Sequence, residues 1–156
     1  MFRGITAIQM DEKGRVAMPR RYRERLQRAD VSESTDELVV TIDTEESCLL
    51  VYPLPEWEII ERKLEALPSF NPAARRVQRL LMGHATEVRI DAQGRLLVPP
   101  LLRDYAKLEK SVMLVGQGKK FEMWSEAGWA SRRDSWLEAH NEDQAEMPDE
   151  LKSLSL

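Results

Sequence analysis

One cysteine, two histidines and seven glycines are few for 156 residues, and each shortage excludes something. With Cys48 alone, no disulfide can form within the chain. A single thiol in the apolar run Cys48-Leu49-Leu50-Val51-Tyr52 reads as a buried core residue rather than a nucleophile. His84 and His140 lack metal-ligand spacing to each other or to Cys48, so no metal is expected. No glycine run could cradle a phosphate and no serine sits in a glycine elbow, so neither catalytic residues nor a cofactor is expected. No apolar stretch reaches the roughly 18 residues that span a bilayer. The opening Met1-Phe2-Arg3-Gly4-Ile5-Thr6 has no signal-peptide apolar core. A cytoplasmic protein without a membrane partner is the expectation.

Apolar residues make up 42% of the chain, enough to bury a core as one domain or as two small ones folded together. The net charge of −4 conceals an uneven distribution. Residues 1–30 hold eight bases against four acids, residues 31–70 two against ten, and residues 134–156 one against seven. A nucleic-acid surface is a local property, so an acidic total does not exclude one.

An internal repeat organises the sequence. Ile8-Gln9-Met10-Asp11-Glu12-Lys13-Gly14-Arg15-Val16-Ala17-Met18-Pro19 returns eighty positions later as Val88-Arg89-Ile90-Asp91-Ala92-Gln93-Gly94-Arg95-Leu96-Leu97-Val98-Pro99. In both copies an alternating segment enters Asp-x-x-Gly-Arg and a second apolar segment ends at Pro. One supersecondary unit has been used twice. Residues 5–10 and 15–18 predict two strands in a β-arch or hairpin, with Gly14 at positive φ. Pro19 suits the first position of a helix that buries Tyr22 and Leu26 and carries Arg21, Arg25 and Arg28 on another stripe. Residues 38–42 and 48–52 read as buried strands. Pro53 and Pro55 stop the sheet, and a helix follows over residues 56–67. Asn71 is placed as N-cap and Pro72 as N1 of the next helix, which Gly83 closes.

The second half repeats the order. Strands are expected at 86–90 and 95–98, a helix from Pro99 and Pro100, a strand pair at 112–115 and 121–124, and a helix opening at 125–129. The Tyr52 to Trp57 spacing recurs from Trp124 to Trp129, so the duplication extends past the turns. The acidic stretch from about residue 141 is expected to be loosely ordered, with Leu151, Leu154 and Leu156 free to dock.

In each Asp-x-x-Gly-Arg turn the glycine, Gly14 or Gly94, lets the backbone reverse. The aspartate, Asp11 or Asp91, can accept from turn amides. Arg15 and Arg95 are thereby aimed. A preorganised guanidinium suits guanine O6 and N7 or a phosphate, and Lys13 would add a point charge on phosphate. The alternative is that the arginine pairs with its aspartate and only braces the turn. Arg3, Lys13, Arg20, Arg21 and Arg23 surround the first turn, whereas Ala92, Gln93, Leu96 and Leu97 surround the second, so the first is expected to carry more of a DNA contact. Arg75, Arg76 and Arg79 are expected to pair with the acidic 31–70 segment of the same or a neighbouring chain.

These turns, with Met1-Phe2-Arg3-Gly4, Tyr52-Pro53-Leu54-Pro55-Glu56-Trp57, Asn71-Pro72, Arg75-Arg76-Val77-Gln78-Arg79-Leu80-Leu81 and Val112-Met113-Leu114-Val115-Gly116, resemble the MraZ family over nearly the whole chain. The resemblance is weakest after about residue 126. It implies an α+β fold: a double-split, swapped-hairpin, AbrB-like β-barrel built from two tandem pseudo-repeats in one chain, with flanking helices. The first SpoVT-AbrB-like unit would cover 5–52 with a helical extension to about 80. The second would cover 81–124 with a helical extension to 156. It further implies a nucleoid-associated transcriptional repressor, assembled as a homo-oligomeric ring on short direct repeats in the promoter of the division and cell-wall gene cluster. DNA-contacting positions carry over as Arg15 with Lys13 and Gly14, and Arg95; Arg3 joins them from its place among the bases around the first turn. Asp11, Asp91 and Gly94 would support the turns. Gln93 stands where the first copy has Lys13, which separates the role of Arg95 from that of Arg15. AbrB-like units also occur in MazE-type antitoxins, so a protein-binding antitoxin is the alternative from another functional class.

Overall fold

The computed structural model describes residues 1–28, 36–139 and 148–154. Two compact units divide the chain, Met1–Glu126 and Ala127–Leu156. In the first, β1 (Ile5–Gln9), β2 (Arg15–Ala17), α1 (Arg20–Arg28), β3 (Glu37–Ile42), β4 (Leu49–Pro53), α2 (Leu54–Glu65) and α3 (Pro72–His84) form one half. The other half is β5 (Thr86–Arg89), β6 (Arg95–Leu97), α4 (Pro100–Tyr105), β7 (Ser111–Gly116) and β8 (Phe121–Ser125).

The halves exchange strands. All neighbours in the six-stranded sheet β1-β7-β8-β4-β3-β5 are antiparallel, and the order places the first strand of each half on the hairpin of the other. Ile8 faces Val112 in the β1–β7 ladder, and Leu38 faces Val88 in the β3–β5 ladder. The two short strands make a separate ribbon, β2–β6. β1 and β2 therefore do not form a hairpin ladder; between them only the bridge Met10↔Val16 forms, and the segment is an arch. Each arch spends its strands on different partners, so neither half can satisfy its backbone without the other.

Burial follows this exchange. Phe2, Tyr22 and Phe121 pack at the centre of one cluster, with the Phe2 and Phe121 ring centroids 4.2 Å apart. Val16, Met18, Leu96 and Val98 reach the same cluster from the ribbon. β3 is buried on both faces: Leu38, Val40 and Ile42 enter that core, while Val39 enters a second one with Trp57 and Leu64 beneath α2 and α3. Thr41 follows the same side and donates from Oγ1 to the carbonyl of Leu81 at 2.7 Å. Cys48 is fully buried, and desolvation is the main reason its thiol is pushed up, away from thiolate chemistry.

Several helix ends depart from the sequence-based expectations. Pro53 is the last residue of β4, and α2 begins at Leu54 with Pro55 in its first turn, where a missing N–H costs nothing. Pro19 lies just outside α1, its carbonyl accepting from Tyr22 and Arg23. Helix α3 runs through Gly83 to His84 before Ala85 turns extended. Asn71 does cap α3: its Oδ1 accepts from the N–H groups of Ala73 at 2.9 Å and Ala74 at 3.1 Å.

The second unit contains α5 (Glu126–Ala139), apart from its first residue, and the short α6 (Asp149–Lys152). Trp129 and Trp136 meet edge to face at 6.2 Å, as their spacing suggests. Leu151 and Leu154 are half-exposed. The stretch 140–147, where loose order is expected, and Leu156 lie outside the described residues. Among the described residues no helix is long and apolar enough to cross a membrane.

Candidate nucleic-acid interface

Both Asp-x-x-Gly-Arg turns close in the same way. Asp11 Oδ1 accepts from the N–H groups of Lys13 and Arg15, each at 2.9 Å, and Asp91 Oδ1 accepts from Gln93 and Arg95 at the same distance. Gly14 and Gly94 donate back to the aspartate carbonyls at 3.0 and 2.9 Å, with φ of 86° and 77°. Only glycine takes this left-handed backbone without penalty. Asp11 is held below its ordinary range chiefly by the N–H of Arg15, against desolvation, with the Arg15 side chain and the Lys13 N–H adding to the lowering. Asp91 is lowered in the same way, first by the N–H of Arg95.

The arginines part company at the side chain. Arg15 Nε sits 2.6 Å from Asp11 Oδ2, so the bracing contact is made. It uses one nitrogen: neither terminal nitrogen of Arg15 has a protein partner among the described residues, and the side chain is 34% exposed. Bracing and reading are thus compatible. Arg95 Nε stands 3.5 Å from Asp91 Oδ2 and is buried without a hydrogen bond, while its Nη2 donates to Oε1 of Gln93. Gln93, which stands where the first copy has Lys13, thus engages one terminal nitrogen of a guanidinium whose counterpart in the first copy has both open among the described residues.

Two further arginines complete the site: Arg103, not singled out from sequence, and Arg23, expected around the first turn but placed at the second. A Cβ on Gly14 would lie 2.6 Å from Arg103 Cζ, and one on Gly94 would lie 2.5 Å from Arg23 Cζ. Each turn is therefore backed by a guanidinium from the helix of the opposite half. The ribbon fixes this reciprocity, because Met18 donates to the Gly94 carbonyl and Val98 to the Gly14 carbonyl, both at 2.9 Å. Arg23 also donates from Nε to the Met18 carbonyl, whereas Arg103 Nε is buried without a partner. Neither has an acidic partner among the described residues. The result is four guanidinium groups and the exposed Lys13 around two joined turns, with Asp11 and Asp91 as the carboxylates paired to them. Only the equal positions of Arg23 and Arg103 in the two repeats could have signalled their pairing.

Other candidate cations are placed elsewhere. Arg3 is exposed and lies just before β1, its backbone against Gly116 at the end of β7; among the described residues no contact groups it with Arg15. Within α1, Arg21 and Arg25 are tied to other segments, whereas Arg20 is exposed and pairs along its own helix. Arg21 donates to Thr6 Oγ1 and the Tyr22 hydroxyl, Arg20 pairs with Glu24, and Arg25 donates to the Met1 carbonyl. Arg75, Arg76 and Arg79 are exposed and form no ion pair with the described part of the 31–70 segment in the same chain.

Away from this face, Asp43, Cys48 and Glu122 bring three donor atoms within 4.8 Å of one another. The sequence spacing had not suggested this grouping. Glu122 accepts from Trp124 Nε1 at 2.8 Å, and burial raises its carboxyl pKa.

A repeated, arginine-bearing arch of this kind has close relatives. The family described as "MraZ protein, putative antitoxin-like" matches twice, over residues 1–80 and 81–149. A protein of Coxiella burnetii named Transcriptional regulator MraZ is 57% identical over 156 residues, covering all of both chains. Proteins of the same name from Legionella pneumophila and Halorhodospira halophila are 55% and 54% identical, again over the full length of both chains. Two tandem matches and end-to-end identity above half make this chain a member of the MraZ family.

Proposed function

We propose that the chain is a sequence-specific DNA-binding transcriptional regulator whose reading element is the β2–β6 ribbon with its two turns. The carrying observation is Arg15: fixed through Nε by Asp11, yet with both terminal nitrogens unclaimed among the described residues. A two-stranded ribbon fits a major groove, and a bidentate arginine–guanine contact supplies about 1–3 kcal/mol of discrimination. Lys13 and the turn of Gly14 complete the primary contact. Arg95 serves as a secondary one, limited by Gln93, and Arg3 contributes charge from a distance. Asp11, Asp91 and Gly94 support the turns without touching DNA.

In this reading the sheet and ribbon together form the swapped-hairpin, double-split barrel of two SpoVT-AbrB-like units, 5–52 and 81–124. Copies assemble into a homo-oligomeric ring on direct repeats in a division and cell-wall promoter, repress it, and act in the cytoplasm at the nucleoid. A closed head-to-tail ring presents the same turn at a fixed repeat, and each contact after the first gains from effective concentration. The family description supports a second reading, an antitoxin-like protein-binding module. Salt titration of binding to promoter and scrambled duplexes separates them. The DNA reading expects a specificity ratio of about 10³ or more and a steep salt slope. Equal, weak binding to both duplexes, with a small toxin co-purifying in stoichiometric amount, would favour the second.

A further inference from the structure

The ribbon also places an apolar side chain where a groove-reading element has few reasons to carry one. Arg15 faces Leu97, Val16 faces Leu96 and Ala17 faces Arg95. Opposed residues in an antiparallel pair share a face, and neighbours along a strand alternate. Val16 and Leu96 are each 1% exposed, so theirs is the inward face. The outward face consequently displays Arg15, Ala17, Arg95 and Leu97. Two guanidiniums stand on one diagonal and two aliphatic groups on the other. Leu97 is 52% exposed, and its counterpart in the first copy is the single methyl of Ala17.

An isolated exposed leucine is ordinary. This one shares a four-residue face with two arginines, whose paired carboxylates Asp11 and Asp91 lie in the turns, and such a face fits a ligand both anionic and locally apolar. Phosphates offer nothing to an isobutyl group. On the floor of the major groove the C5-methyl of thymine is the apolar feature that a side chain can meet, and a groove about 12 Å wide admits a two-stranded ribbon.

Resting on the DNA-binding reading above, we infer that Leu97 is a specificity-determining residue that packs on the 5-methyl group of a thymine. The Cβ atoms of opposed ribbon residues are about 5 Å apart. At a rise of about 3.4 Å per base pair, that thymine lies one or two steps from the pair taken by Arg15. Leu97 supplies shape and exclusion of water, Arg15 the hydrogen bonds. The second half thus contributes to recognition through an apolar group, although Gln93 engages its arginine.

The test uses the full-length wild-type protein to select its preferred site from randomised duplexes, then replaces each thymine in turn by deoxyuridine, which removes only the methyl. Wild type should lose about fourfold in affinity at one thymine per contacted site, the worth of one buried methyl group. Leu97→Ala should bind the parent duplex more weakly and show no further loss at that position, and Leu97→Met should restore part of the sensitivity. Removing a half-exposed side chain opens no cavity, so thermal unfolding should be unchanged. Insensitivity of the wild type to every replacement overturns the inference, as does equal sensitivity in Leu97→Ala. A Leu97→Ala protein that changes its oligomeric mass while keeping the methyl response would place Leu97 at a contact between copies instead, and also overturns it. Arg15→Ala is the control. If it binds the selected duplex as tightly as wild type, the DNA-binding face itself is wrong; if it loses binding while no methyl couples to Leu97, only this inference falls.

Discussion

At the first turn, Asp11 holds Arg15 Nε at 2.6 Å and leaves the rest of the guanidinium open; at the second, Asp91 stands 3.5 Å from Arg95 Nε and Gln93 takes Nη2. The backbone hydrogen bonds of the two turns agree within 0.2 Å. Duplication therefore preserved the scaffold while side chains diverged. Equivalent positions hold Lys13 and Gln93, Ala17 and Leu97, and Arg21 and Leu101. The lesson is that turn geometry and ligand capacity are separable, and that reciprocal packing of Arg103 on Gly14 and Arg23 on Gly94 keeps the geometry common to both.

The structural equivalence of the two turns is tested at the glycines, where the largest change is expected. Gly14→Ala and Gly94→Ala should destabilise by similar amounts, about 1–2 kcal/mol from the left-handed backbone alone. Displacing Arg103 or Arg23 adds to this. Chemical denaturation measures it, and a strongly unequal pair would show that the turns are not structurally equivalent. It can be sharpened at residue 93. Gln93→Lys should free Arg95, add a charge, and steepen the dependence of binding on salt by about one unit for each extra phosphate neutralised. Lys13→Gln should do the reverse. A salt slope unmoved by either substitution would detach the lysine–glutamine difference from DNA.

The smallest effect concerns the carboxylates. Asp11 and Asp91 titrate below the ordinary 3.8, so the turns gain stability above that value and lose it only as pH falls through the lowered one. Because the N–H of residue 15 is the largest lowering influence on Asp11, Arg15→Ala should leave Asp11 still below its ordinary value in a carboxyl NMR titration. A full return would assign the shift to the guanidinium.

The local features were readable from residues alone. Glycine at the left-handed position, Asn71 before Pro72, and alternation in β1 each act over a few positions, and their physics is contained there. Partner choice was not. Alternation in Ile5–Gln9 says that one face is buried, yet nothing in it selects Ser111–Gly116 rather than the adjacent Arg15–Ala17. Arg23 is adjacent in sequence to the first turn yet covers Gly94 of the second, and Arg103 covers Gly14 of the first, because the glycines they cover lie in the other half of the chain. Likewise, Arg75, Arg76 and Arg79 have acidic segments nearby in sequence but no ion pair among the described residues.

The most direct measurement compares Arg15→Ala with Arg95→Ala on one selected duplex, by fluorescence anisotropy at fixed salt, with both proteins folded and assembled as wild type. Arg15→Ala should cost at least tenfold more affinity than Arg95→Ala, because among the described residues both terminal nitrogens of Arg15 are open to a base, whereas Gln93 engages Nη2 of Arg95. Equal losses, or a larger loss at Arg95, would contradict the account.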